Sequence, residues 1–427
     1  MIKISKEFKK ALAIMEDTKE HLFLTGNAGT GKSTLLQYFR KHTAKKIVVL
    51  APTGVAALNV KGQTIHSFFG FNPSIRKENV RKASVDKRRL FESVETIVID
   101  EISMVRADLL DCIDKSLRIN RNKPKEAFGG VQMIFIGDLF QLPPVLTDEE
   151  RYIFEEEYRS PYFFSAYVLG DFDINFIELK KVYRQQDNRF VELLNNLRNK
   201  RMTASDVQIL DTCHDADFDP GDDTNFVHLT TTNKMAEQRN YSELQKLEGE
   251  EYKLTGTKNG DFRASRLPSE DVLKLKVGAR VMFTNNDSQK RWVNGTLGTV
   301  TEIKKELGIY AIYVELANGK IVPVNRHTWE MFEYSPSVSG EIGTQVTGSY
   351  RQYPLTLAWA VTIHKAQGKT FDKVLVDMGW GAFAHGQMYV ALSRCTSLDG
   401  LVLRKPFREK DVIVDSAVID YVNAYTK

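Results

Sequence analysis

The chain has 427 residues, of which 42% are hydrophobic and 27% charged, with a formal net charge of +4. That length exceeds what one hydrophobic core can serve and calls for two to four domains, while the composition is that of an ordinary globular protein. Three cysteines (Cys112, Cys213, Cys395) lack any metal-type spacing, and no apolar run reaches membrane-spanning length, so a zinc cluster and a helical membrane protein are excluded and reduced, buried thiols are expected.

The start, Met1-Ile2-Lys3-Ile4-Ser5-Lys6-Glu7-Phe8, carries no signal-peptide apolar core, and a cytoplasmic enzyme is expected. The stretch His21-Leu22-Phe23-Leu24 then runs directly into Gly26-Asn27-Ala28-Gly29-Thr30-Gly31-Lys32-Ser33-Thr34. That is the strand–loop–helix context of a P-loop. Gly29 and Gly31 lack a Cβ, so the loop can take left-handed φ and turn its N–H groups on phosphate oxygens. A helix opening at Lys32 adds the positive end of its dipole. Lys32 brings a mobile charge to the β- and γ-phosphates, and the Ser33 hydroxyl is placed for Mg²⁺.

Further apolar runs follow at 47–51, 97–99, 133–136 and 174–177, with helical spacing over 107–119 between two of them. Continuous apolar strands separated by helices predict a parallel sheet covered on both faces. An insertion at 71–93 carries seven basic side chains within 76–89 (Arg76, Lys77, Arg81, Lys82, Lys87, Arg88, Arg89), read either as a solvated face or as a contact for nucleic-acid phosphate. Strand 97–99 ends in Asp100-Glu101. There Asp100 can hold Mg²⁺ and Glu101 can orient and deprotonate an attacking water; the alternative is a helix N-cap. Strand 133–136 leads through Gly137-Asp138 to Gln141, which can reach a γ-phosphate or its water. Charge on a transferring phosphoryl group needs arginines as well, and Arg184 and Arg394 are the candidates.

The second half repeats an α/β pattern with an interruption. A helix is predicted at 189–200 and strands at 226–231, 355–361, 373–377 and 400–404. Between them, Asn294-Gly295, Gly298 and Asn318-Gly319 punctuate β-rich segments at 298–303, 309–316 and 320–324, predicting a small β-barrel.

Longer strings add a resemblance. Ala51-Pro52-Thr53-Gly54-Val55-Ala56-Ala57 with Gly62-Gln63-Thr64-Ile65-His66-Ser67-Phe68-Phe69 is similar to the second motif of the petite integration frequency (PIF) DNA helicases, a superfamily-one family on the RecD-like branch. Thr362–Phe371 resembles the fifth and Gly386–Arg394 the sixth, and Lys276–Met282 with Val293–Gly298 resembles the entry to the accessory barrel. The resemblance implies an α/β fold of two RecA-like lobes, 1–178 and 179–254 with 341–427. A basic wedge at about 71–93 belongs to the first, and a Src-homology-three-like barrel at 255–340 is inserted in the second. It implies ATP and Mg²⁺ as cofactors. Gly26, Ala28, Gly29, Thr30, Gly31, Lys32, Ser33 and Thr34 would bind nucleotide, with Gly368 and Lys369 approaching it from the second lobe. Ser33 and Asp100 would hold the metal, and Glu101 would be catalytic. Gln141 would be the γ-phosphate sensor, with Arg184 and Arg394 the arginine fingers.

For DNA, the resemblance assigns Pro52, Thr53, Gly54, His66, Thr232, Asn233, Thr362, His364 and Lys365, residue types that hold a strand without reading bases. The implied activity is ATP-driven 5′→3′ translocation on single-stranded DNA with unwinding of forks, R-loops or G-quadruplexes in repair, recombination and telomere maintenance. The implied partners are single strands and strand–duplex junctions, with a solution monomer that dimerises on DNA and, in a bacterium, lies at the nucleoid. A translocating ATPase without strand separation, a nucleotide kinase and a DNA-binding switch are the competing readings. One departure stands out: Phe8 occupies the place where the family carries a Gln that reads adenine, so it either stacks on a base or packs.

Overall fold

The structure, a computed structural model, describes residues 5–146, 148–185, 187–221, 223, 225–262, 267–306, 309–336 and 342–426. Positions 1–4 of the amino-terminal string and positions 263–266, 307–308 and 337–340 of the expected barrel range lie outside the described residues. The chain divides into two compact units, one of Met1–Tyr183, Glu330–Gly348 and Asp415–Lys427, the other of Arg184–Trp329 and Ser349–Val414.

The first unit is built on six strands: β1 (Leu22–Gly26), β2 (Ile47–Ala51), β3 (Gln63–Thr64), β4 (Thr96–Ile99), β5 (Gln132–Ile136) and β6 (Asn175–Leu179). They pair in parallel in the order β3-β2-β4-β5-β1-β6. β1, β4 and β5 are buried along their whole length, which is why their sequences are unbroken apolar runs rather than alternating ones. The helix Lys32–His42 sets Leu35, Leu36 and Phe39 against Leu22, Leu24, Val98, Ile134 and Ile136. Leu24 pairs with Ile136 and Ile99 with Phe135, so the three central strands end level and their following loops leave from one edge.

The basic insertion folds as a short turn at Lys77–Asn79 and a helix at Val85–Ser93. Ile75, Val80, Leu90 and Phe91 are buried under it, and Arg76, Arg81, Lys82 and Arg89 are exposed. Lys87 turns inward and donates to the Ser67 carbonyl (3.3 Å), with burial holding its ammonium below the usual lysine value. Tyr334 also belongs to this unit. Its hydroxyl accepts from the Val49 N–H (3.1 Å), its own N–H donates to Gln63 Oε1 (3.2 Å), and its ring meets Phe68 edge-on.

The second unit opens its sheet with β7 (Phe226–Thr230). Antiparallel strands follow: β8 (Tyr252–Thr255), β9 (Thr257–Gly260), β10 (Val272–Leu275), β11 (Arg280–Phe283), β12 (Leu297–Glu306), β13 (Ile309–Leu316) and β14 (Ile321–Val324), then β15 (His327–Pro336) and β16 (Ile342–Gln352), whose stretches within Glu330–Gly348 belong to the first unit, and β17 (Leu355–Leu357). Five of them form the sheet β14-β13-β12-β11-β17 over a core that includes Val281, Phe283, Val300, Val314 and Leu355. β18 (Ala360–Thr362), β19 (Lys373–Asp377) and β20 (Leu401–Leu403) then complete the parallel sheet in the order β18-β7-β19-β20.

The run 355–361, expected as one strand, is two. Leu355–Leu357 pairs antiparallel with β11, and Ala360–Thr362 pairs parallel with β7. The backbone changes partner at Ala358-Trp359: Ala358 donates to Arg280 O (2.9 Å) and Trp359 O accepts from His228 (3.2 Å). Both halves are apolar because both are buried, so periodicity alone cannot mark the switch. Cys112 and Cys395 are buried as expected, whereas Cys213 is partly exposed; all three are thiols. Among the described residues no helix is long and apolar enough to cross a membrane.

Candidate nucleotide and nucleic-acid sites

In the first unit the loop after β1 takes positive φ at Gly26 (+144°), Gly29 (+80°) and Gly31 (+91°). Gly26 is required twice over, because a Cβ there would lie 2.5 Å from the Leu179 carbonyl oxygen. Gly31 caps the helix that begins at Lys32, leaving Ser33 and Thr34 exposed in its first turn. Thr30 Oγ1 donates back to Asn27 O (2.9 Å), and the Lys32 ammonium donates to Gly26 O (2.6 Å) and Asn27 O (3.0 Å). The loop is thus a preformed cradle lined by backbone groups and one mobile cation.

Asp100 continues the β4 ladder, its N–H donating to Leu50 O (2.9 Å). Burial pushes its carboxyl above the usual value, opposed by the Glu101 N–H and the Lys32 charge. Glu101 takes φ +52°, an uncommon conformation for a residue with a Cβ, and turns the chain into the short helix Ile102–Met104. The next loop lies against this one: a Cβ on Gly137 would sit 2.9 Å from Ile102 Cγ2. Gln141 is buried, and Asp138 fixes it. The Gln141 N–H donates to Asp138 O (3.0 Å) and its Nε2 to Asp138 Oδ2 (3.4 Å), while Phe140 N–H donates to Oδ1 (3.2 Å). Lys32, at the helix start after the β1 loop, and Asp100, Glu101 and Gln141, on the loops after β4 and β5, therefore follow the level ends of these three strands.

The second unit gathers its own set. Arg394 is 1% exposed. Its guanidinium donates to Val390 O (2.9 Å), Lys369 O (3.2 Å) and Ser393 Oγ (2.8 Å). Arg184 donates to Ser393 O (3.3 Å), and Gln185 Nε2 bridges Ser393 O (3.1 Å) and Cys395 O (3.0 Å). Burial holds the Arg184 guanidinium below the usual arginine value. Gly368 takes φ +78°. Burial, and secondarily the Lys365 charge, pulls the Lys369 ammonium down to about 8. Both arginines, Gly368 and Lys369 are brought into one neighbourhood.

The threonines assigned to DNA share a local role. Thr362 ends β18, and Thr53 and Thr232 lie two residues past β2 and β7; each caps the following helix, accepting from the N–H of Lys365 (3.3 Å), Ala56 (3.2 Å) and Met235 (3.3 Å) respectively. A capping hydroxyl still has its proton to donate. Pro52, Gly54 and His66 are half-buried, Thr362 is buried, and Thr232, Asn233, His364 and Lys365 are exposed. Burial, aided by Arg106, holds His66 below the usual histidine value against the opposing Asp108, so it is a neutral hydrogen-bonding group near pH 7. Phe8 is buried in the core with Ala11, Ile14 and Phe39, edge-on to Tyr38, and packs rather than stacks on a base.

Three residues escaped the sequence reading: Asp138, Gln185 and Tyr183. The first two sit inside strings that were already informative. Tyr183, whose N–H donates to Gly29 O (2.9 Å) and whose ring lies 3.9 Å from where a Gly31 Cβ would be, has no signal in spacing.

Known proteins converge on the same description. A family model for the PIF1-like helicase matches residues 3–208. The ATP-dependent DNA helicase Pif1 of Bdellovibrio bacteriovorus is 34% identical, covering 99% of this chain and 92% of its own. A Bacteroides Pif1 in complex with ADP-AlF4 superposes with a TM-score of 0.90 at 39% identity, over 100% of this chain and 97% of its own. A Bacteroides Pif1 helicase with ADP-AlF3 and ssDNA matches with a TM-score of 0.72, again at 39% identity and with the same coverage of both chains.

Proposed function

The chain belongs to the PIF1-like helicase family, and we propose that it couples ATP hydrolysis to 5′→3′ movement along single-stranded DNA, separating strands at junctions. It is an ATP-dependent DNA helicase; the polarity, the residue roles and the metal are the proposed part. The observation that carries the roles is the common edge of β1, β4 and β5, which sets Lys32, Asp100, Glu101 and Gln141 on adjoining loops.

Each side chain then has a task fixed by its chemistry. The cradle N–H groups and Lys32 bind the β- and γ-phosphates. Glu101 orients the attacking water and accepts its proton. Gln141, held by Asp138, contacts the γ-phosphate and distinguishes ATP from ADP. Arg184 and Arg394 neutralise charge that develops on the transferring phosphoryl group.

Ser33 and Asp100 fit Mg²⁺. They are hard oxygen donors, Asp100 is a buried carboxyl whose ionised form a cation would favour, and no cluster of three or more acidic, His or Cys ligands occurs among the described residues. Few protein ligands suit an ion that keeps waters and phosphate oxygens. Bound there, Mg²⁺ would supply charge neutralisation to the nucleotide phosphates.

The test is unwinding of 5′-tailed and 3′-tailed duplexes side by side, with single-strand-stimulated phosphate release. Activity on the 5′-tailed substrate alone supports the proposal, the reverse preference overturns the polarity, and ATPase stimulation with neither duplex opened would leave a translocase.

A further inference from the structure

In the second unit β18, β7 and β19 end level, because Thr362 and Asp377 both pair with Thr230. Each strand runs on into a segment with exposed residues. After β18 come His364 and Lys365, after β7 Thr232 and Asn233, and after β19 Gly379-Trp380-Gly381-Ala382-Phe383. The first two segments are the proposed DNA contacts of this unit. The third starts one strand spacing further on, about 4.8 Å. It meets the residues on either side of the second: a Cβ on Gly379 would lie 3.1 Å from Met235 Sδ and 3.6 Å from Thr231 Oγ1.

Trp380 is 100% exposed and Phe383 is 62% exposed, whereas Trp292 and Trp329 are 5% and 6% exposed. An indole left wholly in water contributes nothing to folding, although burying one removes roughly 150–250 Å² of surface. The segment is nevertheless braced. Gly379 N–H donates to Asp377 Oδ1 (2.8 Å), Phe383 N–H to Gln387 Oε1 (3.0 Å) and Gly386 N–H to Ile413 O (3.0 Å). Asp411, ion-paired to Arg408 (2.8 Å), accepts from Ala382 N–H (3.1 Å) and crowds Gly381 so closely that a Cβ would lie 2.7 Å from its Oδ1. The surroundings suit an anionic strand. Lys405 stands over the indole, 5.7 Å from the ring centroid, and its ammonium donates to the Gly379 carbonyl. Glu409 and Lys410, both exposed, share the short helix Glu409–Asp411 with Asp411, whose charge is answered by Arg408.

We propose that Trp380, with Phe383 beside it, is a base-stacking platform that extends the single-strand track past Thr232 and Asn233. The inference rests on the helicase reading above. Its chemistry is sequence-tolerant, since every base offers a π-face to a rigidly presented ring. Bracing lowers the ordering cost of capture.

The test measures binding of a labelled oligothymidylate at fixed salt by anisotropy, and repeats it over a salt series. Trp380→Ala is expected to weaken binding about tenfold, Trp380→Phe by less, and ATPase without DNA should not change. Because a stacked base carries no phosphate contact, the slope of log affinity against log salt should be the same in Trp380→Ala and wild type. Trp380→Ala binding within twofold of wild type overturns the platform, and so does a loss confined to forked duplex with single-strand affinity intact. Failure of the wild type to bind the oligonucleotide at all would instead overturn the helicase reading, and the platform with it.

Discussion

Arg184 and Arg394 converge on one residue: the first donates to the Ser393 carbonyl at 3.3 Å and the second to the Ser393 hydroxyl at 2.8 Å. The two are not equivalent in what their removal leaves behind. Arg394→Ala strips donors from Val390 O, Lys369 O and Ser393 Oγ in a buried site, an expected cost of about 2–4 kcal/mol. Arg184→Ala removes one long hydrogen bond, worth about 1 kcal/mol or less. Both should lose DNA-stimulated turnover by roughly a thousandfold. Denaturant unfolding beside phosphate release separates the effects, and an Arg184→Ala protein with near wild-type turnover would remove Arg184 from the phosphate machinery.

The P-loop unit gives a graded set. Lys32→Ala should lose nucleotide binding, whereas Glu101→Gln should bind nucleotide normally and lose hydrolysis by roughly a hundredfold or more. Asp138→Asn keeps the shape but weakens the hold on Gln141, and should lower turnover more than affinity. Equilibrium binding of a fluorescent nucleotide beside steady-state turnover reads both quantities; equal losses in the two for Glu101→Gln would contradict its assignment as base.

Lys369 predicts opposite pH responses for stability and for ATP use. Its pKa falls to about 8 in the folded protein, below the roughly 10.4 of an unfolded lysine. Between those values the unfolded chain binds more protons, so this group makes stability rise with pH, and its penalty is fully present below about 8. A phosphate contact needs the charged form, so kcat/KM for ATP should fall as pH rises past about 8. Lys369→Arg stays charged and should lose that limb. A profile with the same limb in both proteins would assign it elsewhere.

Phe8 is a core residue by its position. Phe8→Ala should cost about 3–5 kcal/mol of stability without altering the ratio of kcat/KM for ATP over GTP. A changed ratio in a protein that still folds would return Phe8 to the base site.

Motif strings were legible because their chemistry is local. A glycine-rich turn, a hydroxyl and a lysine must be contiguous to wrap a phosphate, and in the proposed roles Asp100-Glu101 and Gln141 must follow a strand to reach it. The partner switch at Ala358-Trp359 was illegible, since burial makes both halves apolar whichever strand they join. Tyr183 was illegible too, because nothing in sequence spacing records that its backbone bonds to Gly29.

The glycine-rich loop, the parallel α/β pattern and the interrupting antiparallel strands were legible in the linear order of residues alone. The fold makes Phe8 pack, lets Thr53, Thr232 and Thr362 cap helices, and buries Arg394 among carbonyls. It alone set the Trp380 segment beside Thr231 at the level ends of β7 and β19. The reason is range. Backbone chemistry and periodicity act over a few residues, whereas register and crossover connections fix which distant loops share an edge.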